Sequence, residues 1–388
     1  MHHIEPPPKG AVENYNQRQV LGIDGLRFCA AVSVMLFHLG CTSWRVPSSE
    51  AMMLLNGRAQ FPELLGVASV GWVGVPVFFA ISGFVIAYSA EGSSPDRFFR
   101  SRFLRLAPGV WICSSVSFLI ALAFLPIPAK NIVIEYIKTL VLFPAPQWID
   151  GVYWTLGIEI SFYAIIFVLI LLRKENKIED VMTAIGSVSA IIWIMASTPW
   201  FPGLDILASK RVSKLLLITH GCDFALGVLI WLMAFKGVTT RRLSVAAICC
   251  LGSILQISYD TRFTETELGI TSLGHIPIYI FIAFLLLMML SLSLNQKIHA
   301  LLGSRGGWAL RTLGLTTYPL YLLHTFVGVL AMRAALACGC PPLASLVIGA
   351  LVAGCAALVV ATKVEPMLRQ QMGGAFDLVI GKKLRKSS

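Results

Sequence analysis

Ionisable side chains inside long apolar runs are the first candidates for chemistry in this sequence. They are Asp24, Arg27, His38, Glu159, His220, Asp223, His324 and Arg333. A charge within a lipid bilayer costs several kcal/mol unless it faces a partner or water, so such residues are functional candidates. Imidazole titrates near neutral pH, which makes a histidine the natural candidate for a general base.

Arg27 and His38 lie eleven positions apart in the first apolar run. At about 100° per residue this spacing is three turns plus about 20°, so both side chains project from nearly the same face of a helix. The corresponding rise is about 16 Å. Such a polar stripe is what a reaction that spans the membrane needs. The alternative is that His38 only hydrogen-bonds to a neighbouring helix.

The first run also carries a known motif. The segment Ile23–Arg27 followed by His38 resembles the arginine, ten residues, histidine motif of the acyltransferase-3 family of membrane O-acyltransferases. Four further blocks resemble that family in order and spacing: Gly74–Phe79 with Ser82–Phe84, Arg102–Pro108, Trp154–Tyr163 and Thr317–His324. Pro76, Thr155 and Thr317 depart from the commoner family residues, which affects the subfamily and substrate more than the class. The resemblance covers roughly residues 20–365.

The resemblance implies an enzyme that transfers an acyl group from cytoplasmic acyl-CoA to a hydroxyl of a carbohydrate or glycolipid. It also implies that this acyl group is acetyl. It assigns His38 a catalytic role as general base, with Arg27 as its companion. Arg102 and Arg105 match the family's Arg-x-x-Arg pattern and are expected to contact CoA, because guanidinium groups bind phosphates well. Direct attack by the acceptor hydroxyl is favoured over a stable acyl-histidine.

Other side chains of the motif blocks have more than one interpretation. Glu159 either orients His38, holds the sugar or is a structural carboxylate. Tyr318, Tyr321 and His324 are expected to line the acceptor cavity, although such a stripe also serves to satisfy hydrogen bonds between helices. Asp24 and Trp154 are assigned to substrate binding with them.

Composition predicts the elements that must position these residues. With 56% hydrophobic and 13% charged residues and a mean hydropathy of +0.77, the chain is typical of an all-α, polytopic transmembrane bundle. Apolar runs long enough to cross the bilayer give ten spans. These lie near 21–42, 69–90, 109–126, 152–172, 181–198, 213–235, 243–259, 271–294, 314–337 and 343–363. Residues 131–143 are short and bracketed by prolines, which predicts a re-entrant or interfacial helix.

The placement of lysine and arginine predicts the orientation. With ten spans, 21 of these residues lie on the side of the two termini and 8 on the other side. Basic residues are in excess in cytoplasmic loops, so both termini are expected in the cytoplasm of a multi-pass protein of the bacterial inner membrane. Residues 1–19 then form a cytoplasmic arm, 20–365 the transmembrane domain and 366–388 a basic cytoplasmic tail. A cleaved signal peptide is not expected, because no apolar stretch with a cleavage site precedes the first span.

Two other function classes are consistent with a polytopic membrane protein, a transporter and a pure sensor or scaffold, and the latter would leave the intramembrane charges without a purpose. A transporter or flippase for a glycan or small molecule also needs polar residues at mid-membrane, but an inverted repeat with two interrupted spans is not apparent. The net charge of +11 is explained by basic loops facing anionic lipid, so no nucleic-acid partner is expected. No Cys/His spacing predicts a metal site.

Overall fold

The computed structural model describes residues 20–271 and 273–384, and these residues form helices without strands. The predicted arm 1–19 and the last four residues of the predicted tail lie outside the described residues. The principal helices are α1 (Leu21–Phe37), α2 (Glu50–Leu55), α3 (Gly74–Ala90), α4 (Pro95–Phe124), α5 (Ala129–Leu140), α6 (Trp154–Leu171), α7 (Ile178–Ala196), α8 (Gly221–Lys236), α9 (Thr240–Leu268), α10 (Ile276–Ser293), α11 (Asn295–Leu323), α12 (Val329–Ala337), α13 (Pro342–Val359) and α14 (Glu365–Leu384).

Within the described part of the chain, nine helical segments are long and apolar enough to cross a membrane. They coincide with nine of the ten predicted spans. The tenth, predicted near 213–235, is the 16-residue α8, which is shorter because the chain breaks into turns before Gly221. α8 is apolar over most of its circumference and is almost entirely buried, as expected for a helix at the centre of a bundle. The all-α transmembrane architecture is therefore confirmed.

The start of α4 corrects one prediction. A span that begins near 109, as predicted, leaves Arg97, Arg100, Arg102 and Arg105 in the loop before it, but these arginines lie on the first three turns of the 30-residue α4. Ser94 caps this helix by accepting a hydrogen bond from the Arg97 backbone N–H, and Pro95 occupies its first turn. The arginines are thus held on a rigid helix that continues into the bilayer.

The short helix predicted at 131–143 is observed as the 12-residue α5. It packs back on α4, where the Tyr136 hydroxyl lies 2.8 Å from the Ser115 hydroxyl and the Tyr136 ring stacks on Phe118 at 4.3 Å. Val133, Ile134 and Ile137 remain exposed. An amphipathic helix too short to cross the bilayer, with one apolar face uncovered, is typical of an interfacial helix.

Ion pairs join the loops at one end of the bundle, which we call the basic end. Lys236 pairs with Glu91, Arg241 with Asp180 at 2.8 Å, and Arg242 with Glu179 at 2.7 Å. These contacts bring together loops that the distribution of lysine and arginine had assigned to one side. The assignment of that side to the cytoplasm stays a prediction.

The other end of the bundle is called the opposite end. Here α2 is held by Arg333, which donates a hydrogen bond of 3.1 Å to the Leu54 carbonyl. Arg211 donates to the Pro144 carbonyl at 2.6 Å and ties the loop 141–150 to the segment before α8. The opposite end is therefore closed by packed short segments rather than by open loops.

α3 runs through the middle of the bundle between α1, α6 and α8. It approaches α8 so closely that a Cβ atom at Gly227 would lie 2.7 Å from the backbone nitrogen of Phe84. Only glycine permits this crossing, in keeping with the small residues that mediate helix packing in membranes. The close approach brings α3 to the centre, where its side chains form one wall of the functional cavity.

Candidate active site

A cavity of about 500 Å³ enters the bundle from the basic end. Its walls come from α1, α3, α4, α6, α11 and α14, and exposed Ser101 marks its mouth. Its lining combines aromatic and aliphatic side chains with polar ones. Both the size and the mixed lining are typical of a pocket for a small-molecule substrate.

Arginine side chains surround the outer part of the cavity. Those lining it among the described residues are Arg27, Arg100, Arg102, Arg105 and Arg369. Two of them are held over aromatic rings: Arg102 lies 5.8 Å from the Tyr163 ring and Arg105 lies 5.3 Å from the Tyr318 ring. The buried Nε of Arg102 has no hydrogen-bond partner in the described part of the chain. These guanidinium groups can therefore bind a ligand with several phosphates.

Arg369 was not singled out from the sequence. It lies on α14, which returns along α4 at the basic end. Its Nε donates to the Leu104 carbonyl at 3.1 Å and its Nη2 to Glu365 at 2.5 Å. In the sequence Arg369 is one basic residue in a basic tail, and charge counting alone does not distinguish it from the others. The sequence signal that could have distinguished Arg369 is its spacing of four residues from Glu365, which favours an ion pair on one helix face.

Glu159 lies in the middle of the cavity wall. Its Oε1 accepts hydrogen bonds from the Ser82 hydroxyl at 3.1 Å and from the Tyr163 hydroxyl. Arg27 lies within electrostatic range of this carboxylate and of Arg105. Glu159 makes no hydrogen bond to His38 in the structure, so the orienting role considered for it has no contact to support it.

Tyr318 and Tyr321 both reach the cavity from α11. The Tyr318 hydroxyl donates to the Leu106 carbonyl at 3.2 Å, and the ring fits over Gly109, where a Cβ atom would lie 2.6 Å from its Cε1. The Tyr321 hydroxyl lies 3.0 Å from the Val152 carbonyl and 3.1 Å from the Thr155 hydroxyl. Tyr321 forms the inner end of the cavity with Phe78, their ring centroids 5.8 Å apart.

Directly behind Tyr321 lie the two histidines of the motif blocks. The Nε2 of His324 is 3.0 Å from the Nδ1 of His38, and the Tyr321 ring lies 6.0 Å from the His324 ring. His324 is fully buried, whereas His38 keeps some exposure. The imidazoles do not themselves line the cavity, whereas Tyr321, whose ring lies beside that of His324, does.

Both histidines begin a local break in helix geometry. His38–Thr42 and His324–Gly328 are π-helical segments, and they pack against each other. Such π segments are rare and occur frequently at functional sites, because the wider turn redirects a side chain and its backbone carbonyls. The pair of π segments is what lets two imidazoles from distant parts of the chain meet.

The hydrogen bonds fix which nitrogens carry protons. Nδ1 of His38 is 3.0 Å from the Val34 carbonyl and Nδ1 of His324 is 3.1 Å from the Leu320 carbonyl. A carbonyl only accepts, so both Nδ1 atoms are protonated and the Nε2 of neutral His324 accepts from His38. The Nε2 of His38 therefore carries a free lone pair, and none of the described residues hydrogen-bonds to it.

Like His324, two further residues assigned to substrate binding lie away from the cavity lining. Asp24 packs against α11, where a Cβ atom at Gly314 would lie 2.9 Å from its Oδ1. The Trp154 ring has the Lys214 ammonium 4.6 Å from its centroid, and its carbonyl accepts from Arg211 at 2.8 Å. Asp24 lies within electrostatic range of Arg27, which does line the cavity. The described residues hold no group of three or more His, Cys, Asp or Glu side chains placed to bind a metal ion.

A family model described as an acyltransferase domain, acyltransferase-3, matches residues 20–362. The chain belongs to the acyltransferase-3 family. It is therefore a multi-pass membrane O-acyltransferase, and the transporter alternative is set aside. No solved structure matches the chain.

Three curated proteins are similar to this acyltransferase over a large part of its chain. It is 28% identical to the exopolysaccharide production protein ExoZ of Rhizobium meliloti over 286 residues, which cover 70% of this chain and 81% of ExoZ. It is 24% identical to the peptidoglycan O-acetyltransferase OatA of Listeria monocytogenes over 345 residues, 80% of this chain and 49% of OatA. The acyltransferase MdmB of Streptomyces mycarofaciens is 28% identical over 195 residues, 46% of this chain and 47% of MdmB. The chain thus spans about half the length of OatA and MdmB.

Proposed function

We propose that this acyltransferase moves an acetyl group from acetyl-CoA to a hydroxyl of a cell-surface saccharide or its lipid-linked precursor, with His38 as the general base. The observation that carries the proposal is the His38 and His324 pair at the inner end of an arginine-lined cavity. The names of ExoZ and OatA support a saccharide acceptor, because both refer to cell-surface polymers.

The arginine-lined mouth supports a CoA donor. Arg100, Arg102, Arg105 and Arg369 present guanidinium groups to the part of the cavity nearest the basic end. CoA carries a diphosphate and a 3′-phosphate, and bidentate guanidinium contacts suit these groups. Acyl-CoA is made in the cytoplasm, so this proposal requires the basic end to face the cytoplasm of an inner-membrane protein.

The inner part of the cavity suits the rest of the donor. Ser82, Thr155 and Thr317 offer hydroxyls to the amides of the pantetheine arm, and Phe78 with Tyr321 closes the end. A short acyl group fits against this pair of rings. The acyl carbon reaches His38 when the two rings shift aside, which makes them a boundary between the donor cavity and the base.

His38 performs the proton transfer. Its free Nε2 accepts the proton of the acceptor hydroxyl while the hydroxyl oxygen bonds to the thioester carbon. The Nδ1 proton stays shared between the Val34 carbonyl and His324 Nε2, which stabilises the imidazolium that forms. The carbon–sulfur bond then breaks, and the His38 proton passes to the departing thiolate to give CoA thiol and an ester.

The proposal is tested with the purified full-length chain in detergent or nanodiscs. Radiolabelled acetyl-CoA is supplied with chitotetraose or cellotetraose, and both CoA thiol and labelled saccharide are measured. The proposal predicts stoichiometric release of thiol and formation of acetylated saccharide. Release of thiol without acylated saccharide, or no turnover with either saccharide, would contradict it.

A further inference from the structure

A group of buried polar atoms lies beyond the histidines, towards the opposite end of the bundle. Asp150, Tyr153 and Thr325 are 1%, 2% and 3% exposed. Asp150 Oδ2, Tyr153 Oη and Thr325 Oγ1 have no hydrogen-bond partner among the described residues. Buried polar atoms are almost always paired, so three unpaired ones close together need an explanation.

Thr325 and Tyr153 both interact with the Asp150 carboxyl. The Thr325 hydroxyl faces the Asp150 carboxyl without a hydrogen bond of good geometry, and Tyr153 lies within electrostatic range of the same carboxyl. Asp150 uses only one oxygen structurally, because its Oδ1 caps the following turn by accepting from the Val152 N–H at 3.1 Å. The second carboxyl oxygen, Oδ2, can therefore bind a ligand.

A second carboxylate adjoins this group. Glu50, at the start of α2, lies next to the backbone of Gly151, where a Cβ atom would be 3.6 Å from Glu50 Oε2. Burial, and then the neighbouring charge of Glu50, raises the pKa of Asp150 well above its ordinary value. A ligand hydroxyl that donates a hydrogen bond to Asp150 would stabilise the ionised form of this carboxyl, which burial disfavours.

The position of the group relates it to the reaction. Thr325 directly follows His324 in the π segment. Val152 connects Tyr321 to Asp150. The Val152 carbonyl accepts a hydrogen bond from the Tyr321 hydroxyl, and the Val152 N–H donates one to Asp150. The donor cavity lies on one side of Tyr321 and the unpaired polar group lies on the other, so the imidazoles stand between the two.

We propose that Asp150, Tyr153, Thr325 and Glu50 form the binding site for the hydroxyl-rich acceptor, which enters from the opposite end of the bundle. This inference rests on the proposed function and adds to it where the acceptor binds and from which side it arrives. Sugar hydroxyls donate to the carboxylates and accept from Tyr153 and Thr325. A neighbouring hydroxyl of the same sugar is then directed at Nε2 of His38.

Access requires a movement of the segment that carries α2. This segment packs against both π segments and is held at its far end by the Arg333 contact with Leu54. The site is therefore shielded from water until a saccharide displaces α2. Shielding protects the thioester from hydrolysis when the acceptor is absent.

Isosteric substitutions separate acceptor binding from folding. Asp150→Asn keeps the Oδ1 cap but replaces the free acceptor oxygen with a donor, and Tyr153→Phe and Thr325→Val remove single hydroxyls. Tyr259→Phe, which removes a hydroxyl of α9 that bonds to Ser209 and is not part of the cavity lining, is the matched control. We measure the KM for chitotetraose or cellotetraose in acetyl transfer, and the Kd for acetyl-CoA by calorimetry in the absence of saccharide.

The proposal predicts that Asp150→Asn and Tyr153→Phe each raise the KM for the saccharide about tenfold, the usual effect of losing one hydrogen bond to a charged or buried partner. The Kd for acetyl-CoA stays within about twofold of the parent value, and Tyr259→Phe changes neither constant. Unchanged saccharide KM in both variants overturns the acceptor site, as does a parallel rise in the acetyl-CoA Kd. If Asp150→Asn does not fold, Tyr153→Phe and Thr325→Val decide the question. Absence of turnover in the parent protein overturns the proposed function as well.

Discussion

The hydrogen bond between the two imidazoles makes a specific prediction for His324. Its Nε2 accepts the Nδ1 proton of His38 at 3.0 Å. A neutral hydrogen bond is worth about 1 kcal/mol, and one to a charged group about 1.5–3 kcal/mol. The bond becomes charge-assisted only when His38 takes the acceptor proton, so it stabilises the transition state more than the bound substrates. His324 is therefore a positioning residue for His38.

Replacing His324 with leucine removes the acceptor with little change in volume at a fully buried position. The charged bond exceeds the neutral one by about 0.5–2 kcal/mol, which at about 1.4 kcal/mol per tenfold change in rate should lower kcat about 2- to 30-fold while KM for both substrates stays nearly constant. His324→Gln retains an acceptor oxygen at similar reach and should keep kcat within about twofold of the parent value. Steady-state kinetics with acetyl-CoA and a tetrasaccharide measure both constants.

Equal losses of kcat in the leucine and glutamine variants, with both proteins folded, would show that the ring acts by packing. Full activity of the leucine variant would show that His38 needs no partner. Circular dichroism and size-exclusion chromatography in detergent establish that each variant is folded. These outcomes separate the role of the hydrogen bond from that of the side-chain volume.

Three further predictions follow from the cavity and the opposite end. Arg369→Gln should raise the KM for acetyl-CoA about tenfold with kcat retained, because one guanidinium contact to phosphate is lost, whereas Lys363→Gln should leave it unchanged. Phe78→Ala should enlarge the inner end of the cavity and raise the kcat/KM ratio of butyryl-CoA to acetyl-CoA; an unchanged ratio would show that Phe78 does not limit acyl length. Burial raises the pKa of both Glu50 and Asp150, and the charge of Glu135 raises that of Glu50 further. The docked α2 segment should therefore be most stable below the ordinary carboxyl pKa and lose stability as pH rises towards the raised values. Hydrogen exchange of residues 46–61, corrected for intrinsic rates, should show this loss of protection, and Asp150→Asn should reduce it.

The helices were predictable from the sequence because the bilayer restricts what can cross it. A span needs about 20 apolar residues with every backbone group hydrogen-bonded internally, and few sequences outside helices meet this demand. α8 is the exception, since it has 16 residues instead of about 20. A helix of this length suffices because α8 lies at the centre of the bundle. The start of α4 was missed because counting arginines treats them as loop charge, whereas Ser94 and Pro95 signal a helix start.

The contacts within the site were less predictable. The motif blocks indicated His38 and His324 separately, but the hydrogen bond between them joins residues 286 positions apart. A single sequence predicts where the helices are. It does not predict how each helix is rotated about its axis or shifted along the membrane normal relative to its neighbours. The π segments, which determine where both rings point, have no marker in residue type.

The assignments of Trp154, Asp24 and Arg369 illustrate the same limit. Trp154 and Asp24 belong to motif blocks, yet their side chains turn towards Lys214 and α11. Arg369 belongs to no block, yet α14 brings it to the cavity. Charge and motif identify the elements that contribute to a site, whereas packing decides which of their side chains enter it.

The most direct test of the central claim is acetyl transfer by the His38→Ala variant. Loss of the general base should lower transfer of label from acetyl-CoA to the tetrasaccharide by about 10²- to 10⁴-fold, while the Kd for acetyl-CoA measured by calorimetry stays close to that of the parent protein. Transfer at the parent rate by a folded His38→Ala protein would contradict the account, because the proton of the acceptor would then be taken by another group.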